Sequence, residues 1–96
     1  MLSQHAEVRM KQRGISPEIV DLLISIGDVR TAPGGALMRF FSKRSRKLIR
    51  AEYGDRFAAK NHEKLTSYLI ESSGQGEIIT VGKLYKKTIS KLKTII

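Results

Sequence analysis

The hydrophobic periodicity of this chain changes at Gly27, and this change constrains the possible folds more than any other feature. Before Gly27, Ser16 and Pro17 open a segment whose apolar residues recur at helical spacing: Ile19, Val20, Leu22, Leu23 and Ile26. A serine cap, a proline at the first helical position and a glycine stop are typical of helix ends. After Gly27, apolar and polar residues alternate with the period of two that β-strands show. The sequence therefore predicts helices first and strands afterwards.

Another helix is predicted near the amino terminus. Ser3 can cap it and Gly14 can end it in the left-handed conformation, and its apolar residues are Ala6, Val8 and Met10. We therefore expect two N-terminal helices, the second running from Pro17 to Ile26.

The segments after these helices predict a mostly antiparallel sheet of about four strands. Residues 29–31 and 36–41 flank a Pro-Gly-Gly turn, which indicates a hairpin. Residues 66–71 and 77–82 flank a turn rich in Ser and Gly, so two further strands are expected there. Residues 47–53 also alternate and are predicted to form a strand. Helices followed by strands indicate an α+β fold, with two N-terminal helices packed on one face of a curved sheet.

The length of 96 residues allows one domain with one hydrophobic core. We expect residues 1–96 to form that domain, with residues 84–96 as a basic C-terminal extension. The chain has no cysteine and two histidines, so neither a disulfide framework nor a metal site is expected, and no motif indicates a cofactor. No apolar run approaches the roughly 20 residues of a membrane span, and the start lacks a secretory signal. We therefore expect a cytoplasmic protein without a membrane partner.

Charge is the main functional signal in the sequence. Eighteen Lys and Arg residues against nine Asp and Glu residues give a net charge of +9. The excess lies in two blocks, because residues 39–64 hold nine basic and three acidic side chains and residues 83–96 hold five Lys and no acid. Blocks of like charge repel each other unless a polyanion lies between them. Nucleic acid is therefore the first expected partner, and an acidic protein is the second.

Five cations within eight positions form the densest part of the first block. We predict that they lie at the end of one strand, across a turn and at the start of the next strand. Three residues after the last strand extend this set. The predicted phosphate-binding residues are Lys43, Arg44, Arg46, Lys47, Arg50, Lys83, Tyr85 and Lys86. The alternative interpretation is a basic hairpin tip that only keeps the protein in solution.

The aromatic residues near these cations are interpreted mainly as core. Phe40, Phe41, Tyr53 and Tyr68 are expected to be buried, because aromatic side chains on strands are more often core residues than surfaces for base stacking. Tyr85 has cationic neighbours and is the candidate for a base or ribose contact.

His5, Arg9 and Arg13 are spaced by four residues, so they form one stripe on the first predicted helix. Arg can grip phosphate oxygens with two parallel hydrogen bonds, and His titrates near neutral pH and can transfer a proton. RNA cleavage without a metal requires a base for the 2′-hydroxyl proton, cations that stabilise the phosphate and an acid for the leaving oxygen. We therefore interpret His5 as a candidate catalytic acid or base and Arg9 and Arg13 as the clamp, with Arg46 as a further phosphate contact. The alternative is an exposed helix face without a catalytic role.

The opening segment also resembles a group of known proteins. Residues 5–15 follow the pattern His-Ala-x-x-Arg-Met-x-x-Arg-Gly-Ile. This pattern is similar to that of a family of small uncharacterised bacterial domains, which resemble the RelE/ParE-like and BrnT-like toxins of toxin–antitoxin modules. The resemblance implies two N-terminal helices on a curved antiparallel sheet, ribonuclease toxins among the relatives, and an acidic antitoxin that neutralises the basic surface. It also implies that His5, Arg9 and Arg13 are the first residues to test.

Three functions stay open on this basis. The first is a toxin-like, metal-independent ribonuclease that acts on RNA, for example on mRNA at the ribosome. The second is a nucleic-acid-binding module without chemistry, in which the same cations only position a backbone. The third is a toxin that binds a protein target such as a topoisomerase. A homodimer is compatible with each of them.

Overall fold

The computed structural model describes residues 2–72 and 76–84. These form two short 3-10 helices, Pro33–Gly35 and Lys64–Thr66, together with four α-helices and four strands. In chain order the α-helices and strands are α1 (Gln4–Arg13), α2 (Pro17–Ser25), β1 (Asp28–Thr31), β2 (Leu37–Phe40), α3 (Lys43–Tyr53), α4 (Asp55–Lys60), β3 (Ser67–Glu71) and β4 (Ile78–Lys83). The strands form one sheet in the order β1-β2-β3-β4, and every neighbouring pair is antiparallel. The predicted α+β fold, with two N-terminal helices on an antiparallel sheet, is confirmed.

Both predicted ends of α1 and the predicted start of α2 are confirmed, whereas α2 ends at Ser25, one residue before the predicted Ile26. The Ser3 hydroxyl accepts a hydrogen bond from the amide of Ala6 at 3.0 Å, and Gly14 follows α1 with a positive φ of 64°. The Ser16 hydroxyl accepts from the amide of Ile19, and α2 starts at Pro17. These contacts satisfy amide groups that have no partner inside a helix.

The sheet and the helices share one hydrophobic core. Leu69 of β3 lies opposite Val81 of β4, and both side chains are buried. Helix α1 packs along β4, and α2 packs over β2 and β3. The residues of this core are Ala6, Met10, Ile15, Ile19, Val20, Leu22, Leu23, Phe41, Ile49, Leu65, Leu69, Ile78 and Val81.

The prediction of a strand over residues 47–53 is wrong, because this segment belongs to helix α3. The Ser42 hydroxyl accepts a hydrogen bond from the amide of Ser45 at 3.1 Å and thereby caps the helix. Ser45 and Ile49 are fully buried one turn apart, as a helix of 3.6 residues per turn requires. The alternation of apolar and polar residues in this segment therefore does not set its backbone conformation. The cation cluster consequently lies on a helix and not on a turn between strands.

Two contacts attach α1 and α3 to opposite edges of the sheet. The amide of Ser3 donates to the carbonyl of Ile78 at 3.0 Å, which joins the start of α1 to edge strand β4. Asp28, the first residue of the other edge strand β1, accepts hydrogen bonds from Ser42 and Arg44 at the start of α3. The two groups of candidate residues are therefore anchored on different edge strands.

Candidate nucleic-acid interface

Helix α3 presents all five of its cations on one side, which we call the basic face. Each residue of an α-helix is rotated by about 100° from the one before it, so these five positions fall within a sector of about 160°. The buried Ser45 and Ile49 lie on the opposite side, as does Glu52, the acidic residue of α3. The basic face consists of Lys43, Arg44, Arg46, Lys47 and Arg50.

The start of α3 concentrates positive charge where a helix already has a positive end. Cations in a first turn are unfavourable, since they repel the helix dipole. The carboxylate of Asp28 offsets this repulsion by accepting hydrogen bonds from Ser42 and Arg44. Burial acts to raise the pKa of Asp28, but the hydrogen bonds from Arg44 and Ser42 and the charge of Arg44 outweigh it and lower the pKa below its usual value. Asp28 therefore stays ionised at neutral pH and neutralises part of the basic face.

The remaining cations of the basic face are weakly paired or unpaired. Arg50 Nε lies 3.5 Å from Asp55 Oδ1, and both side chains are exposed, so this pair contributes little. Lys43, Arg46 and Lys47 have no acidic partner in the described part of the chain. Positive potential on this face is therefore available to an external anion.

Arg46 differs from the other four cations because it is partly buried. Its Nε atom is shielded from solvent and has no hydrogen-bond partner within residues 2–72 and 76–84. This burial lowers the pKa of Arg46 from its usual value. A buried donor without a partner is costly, and such groups commonly mark the position of a bound water or ion.

Tyr53 is the functional candidate that the sequence reading missed. The sequence predicts a buried Tyr53, yet 49% of its surface is exposed at the last turn of α3. Its ring lies 5.1 Å from the ring of Phe57 on α4. Phe40 and Phe41 are buried as predicted, and Tyr68 is partly buried. Tyr53 follows Arg46 by seven residues and Arg50 by three, and this spacing places all three on one side of a helix. The spacing could have identified Tyr53 only if α3 were predicted to be a helix.

The stripe of His5, Arg9 and Arg13 lies on α1 as predicted, and we call it the α1 stripe. His5 and Arg13 are exposed and Arg9 is partly exposed. None of the three forms an ion pair with an acid of the described chain. Helix α1 begins against edge strand β4, whereas α3 begins against edge strand β1. This placement does not test the hypothesis that Arg46 contacts the same phosphate as His5, which stays a prediction.

The C-terminal candidates are only partly described. Lys83 is exposed at the end of β4 and lies opposite Ser67 of β3. Tyr85, Lys86 and the rest of the predicted basic extension over residues 84–96 lie outside the described residues, except for Leu84.

Comparisons of the chain with protein-family models, with curated proteins and with solved structures find no match. The resemblance carried by residues 5–15 therefore stays a prediction. Within the described ranges, no helix is long and apolar enough to cross a membrane, and no group of three or more His, Asp or Glu side chains is placed to hold a metal ion.

Proposed function

We propose that this protein binds RNA through the phosphate backbone, and that the basic face of α3 is the binding surface. The observation that carries this proposal is the placement of five cations on one side of α3, with Lys43, Arg46 and Lys47 lacking an acidic partner among the described residues. Backbone phosphates are the polyanions that such a surface neutralises, with release of bound counterions.

The experiment is a binding titration at several salt concentrations. A fluorescent 2′-O-methyl RNA suits it, because this RNA cannot be cleaved through a 2′-hydroxyl. We expect the affinity to fall steeply between about 50 and 200 mM salt, with each neutralised phosphate adding about −0.7 to the logarithmic slope on a single strand. The double variant Lys43→Glu/Lys47→Glu should weaken binding strongly.

The control is Lys60→Glu/Lys64→Glu, which changes the net charge equally. Lys60 and Lys64 are exposed and lie outside the basic face. Equal losses in the two double variants would show that net charge alone drives binding, and would contradict the proposal.

A second candidate function is metal-independent cleavage of the bound RNA, and the α1 stripe supports it. His5 is exposed, and Arg9 and Arg13 lie one and two turns further along the same side of α1. In this reaction a base takes the 2′-hydroxyl proton, the 2′-oxygen attacks the adjacent phosphorus, and the 5′-oxygen leaves with a proton. The two Arg side chains would stabilise the charge that develops on the phosphate.

Cleavage is tested with unmodified RNA and the variant His5→Gln. The substitution should abolish cleavage and leave binding of 2′-O-methyl RNA intact. Equal cleavage by the variant and the wild type would exclude this role of His5.

We extend the proposal to the acidic antitoxin that the family resemblance implies. An acidic protein segment would compete with RNA for the same cations on α3, since both partners are polyanionic. The acidic antitoxin of this proposal should therefore displace RNA from the wild-type protein. The variant Lys43→Glu/Lys47→Glu should bind this antitoxin weakly, as it binds RNA weakly.

A further inference from the structure

Three side chains on α3 lie in a narrow row along the helix. Two of them belong to the basic face, and the third lies next to it. Arg46, Arg50 and Tyr53 are spaced by four and three residues, so they lie within a sector of about 60° on the helix surface. They extend over about 10 Å along the helix axis. We call these three residues the Arg–Tyr stripe.

The two arginines of the stripe are available for phosphate. Arg46 forms no ion pair within the described chain, and because its Nε is shielded from solvent, its terminal amino groups are the donors left for a phosphate. Arg50 contacts Asp55 at 3.5 Å, but both groups are exposed and such a pair is easily replaced by a phosphate. Because a guanidinium presents donors in a fixed fork, each arginine matches the oxygens of a phosphodiester.

Tyr53 offers a fixed aromatic surface at the end of the stripe. Its ring contacts the ring of Phe57, with centroids 5.1 Å apart and planes tilted by 32°. Phe57 in turn packs against the hydrophobic core, so it supports Tyr53 from the protein side. About half of the Tyr53 surface, 49%, is exposed to solvent. The ring is therefore held in place and accessible, and these are the conditions under which a nucleic-acid base stacks on an aromatic side chain.

We propose that the Arg–Tyr stripe binds a single-stranded segment of nucleic acid, with phosphates on Arg46 and Arg50 and an unpaired base stacked on Tyr53. This inference rests on the proposed RNA binding by α3 and specifies the class of substrate. Bases of a duplex are stacked on one another and paired, so Tyr53 reaches them only if the duplex opens. Cations alone bind single and double strands, whereas the aromatic contact adds affinity for the single strand.

Leu48 provides the matched control for Tyr53. It lies on the same helix with a similar exposure, 46% against 49%, but about 160° away from Arg50 around the helix axis. If the loss of exposed apolar surface alone reduced RNA binding, Leu48→Ala and Tyr53→Ala would reduce it equally. If a base stacks on Tyr53, only Tyr53→Ala should reduce binding.

The experiment compares the affinities of each variant for a fluorescent single-stranded 2′-O-methyl RNA and for the duplex of the same sequence. We expect Tyr53→Ala to weaken single-strand binding about tenfold, the range of one stacked base, and to leave duplex binding unchanged. Tyr53→Phe keeps the ring and the contact with Phe57, so it should bind like the wild type. Leu48→Ala should also bind like the wild type.

Failure of this inference can be distinguished from failure of the proposed function. If Lys43→Glu/Lys47→Glu abolishes binding while Tyr53→Ala binds both RNAs like the wild type, RNA binding by α3 stands and the stripe is overturned. Equal losses on single strand and duplex in Tyr53→Ala would also overturn it, and circular dichroism of that variant checks that α3 is intact. If the wild type binds neither RNA better than Lys43→Glu/Lys47→Glu does, the proposed function itself fails.

Discussion

Asp28 and Arg44 form an ion pair that joins the first residue of β1 to the second residue of α3. The same carboxylate accepts a hydrogen bond from Ser42, the capping residue of that helix. An acid of the sheet edge thus occupies part of a surface that otherwise attracts anions. Asp28 therefore ties the start of α3 to β1, and under the proposed function it would compete with an external phosphate for Arg44.

Replacing Asp28 should strengthen RNA binding. Asp28→Asn removes the negative charge beside Arg44, and we expect the affinity for 2′-O-methyl RNA to rise about fivefold, equivalent to roughly 1 kcal/mol. The control is Asp21→Asn, which makes the same charge change at an exposed position of α2. Fluorescence anisotropy measures both variants. An equal rise in Asp21→Asn would attribute the effect to net charge and not to release of Arg44.

The ionisation of Asp28 should also make stability depend on pH in the acid range. The pKa of Asp28 is lowered in the folded protein, so the unfolded chain binds more protons than the folded one as the pH falls below about 4. The stabilisation from Asp28 is therefore complete above that pH and is lost as the pH falls through the folded pKa. Urea unfolding of the wild type and of Asp28→Asn at a series of pH values measures this. The difference in unfolding free energy between the two proteins should shrink on acidification, and a constant difference would contradict the assignment.

Arg46→Met should separate stability from binding. The substitution removes a shielded donor that has no partner among the described residues, and an unsatisfied buried group costs about 1–3 kcal/mol. We therefore expect an unchanged or higher melting temperature together with weaker RNA binding. Arg50→Met is the comparison, because Arg50 is exposed and its removal relieves no such cost. A large fall in melting temperature for Arg46→Met would assign Arg46 a structural role instead.

A side chain at Gly82 should displace the ring of Tyr68. Gly82 lies opposite Tyr68 in the sheet, and a Cβ atom at Gly82 would be 2.8 Å from the Tyr68 ring. We expect Gly82→Ala to destabilise the protein by about 1–3 kcal/mol in urea unfolding, as overpacking does. The same substitution in a Tyr68→Leu background should cost less, because the obstructing ring is gone. Equal costs in both backgrounds would show that the ring is not the cause.

Much of the fold could be predicted from local sequence signals. Ser3, Gly14, Ser16 and Pro17 determine the helix ends through their own backbone preferences and hydroxyl groups, and these are visible in the sequence. The turn at Pro33–Gly35 likewise marks the first hairpin. Such features depend on residues near in sequence, so they need no knowledge of tertiary contacts.

Helix α3 shows where this reading fails. Its residues alternate like a strand, but burial of Ser45 and Ile49 against the core stabilises a helix, and the core is assembled from distant segments. The Ser42 cap is a local signal for this helix, and it is visible in the sequence. The five cations are close together in the sequence, while their arrangement on one side of a helix follows only from the structure.

The pairing of Asp28 with Arg44 and the exposure of Tyr53 could not be predicted in the same way. Asp28 and Arg44 are 16 positions apart, and their contact depends on how β1 and α3 meet. Tyr53 is exposed because α3 ends there and Gly54, with a φ of 94°, redirects the chain into α4.

The two sides of helix α3 have different environments. Ser45 and Ile49 are buried and attach the helix to the rest of the molecule. Lys43, Lys47 and Arg50 are exposed on the outer side. Substitutions on the outer side therefore change little of what maintains the tertiary structure. Such a helix can acquire new ligand preferences during evolution by a few surface replacements, with the same scaffold retained beneath it.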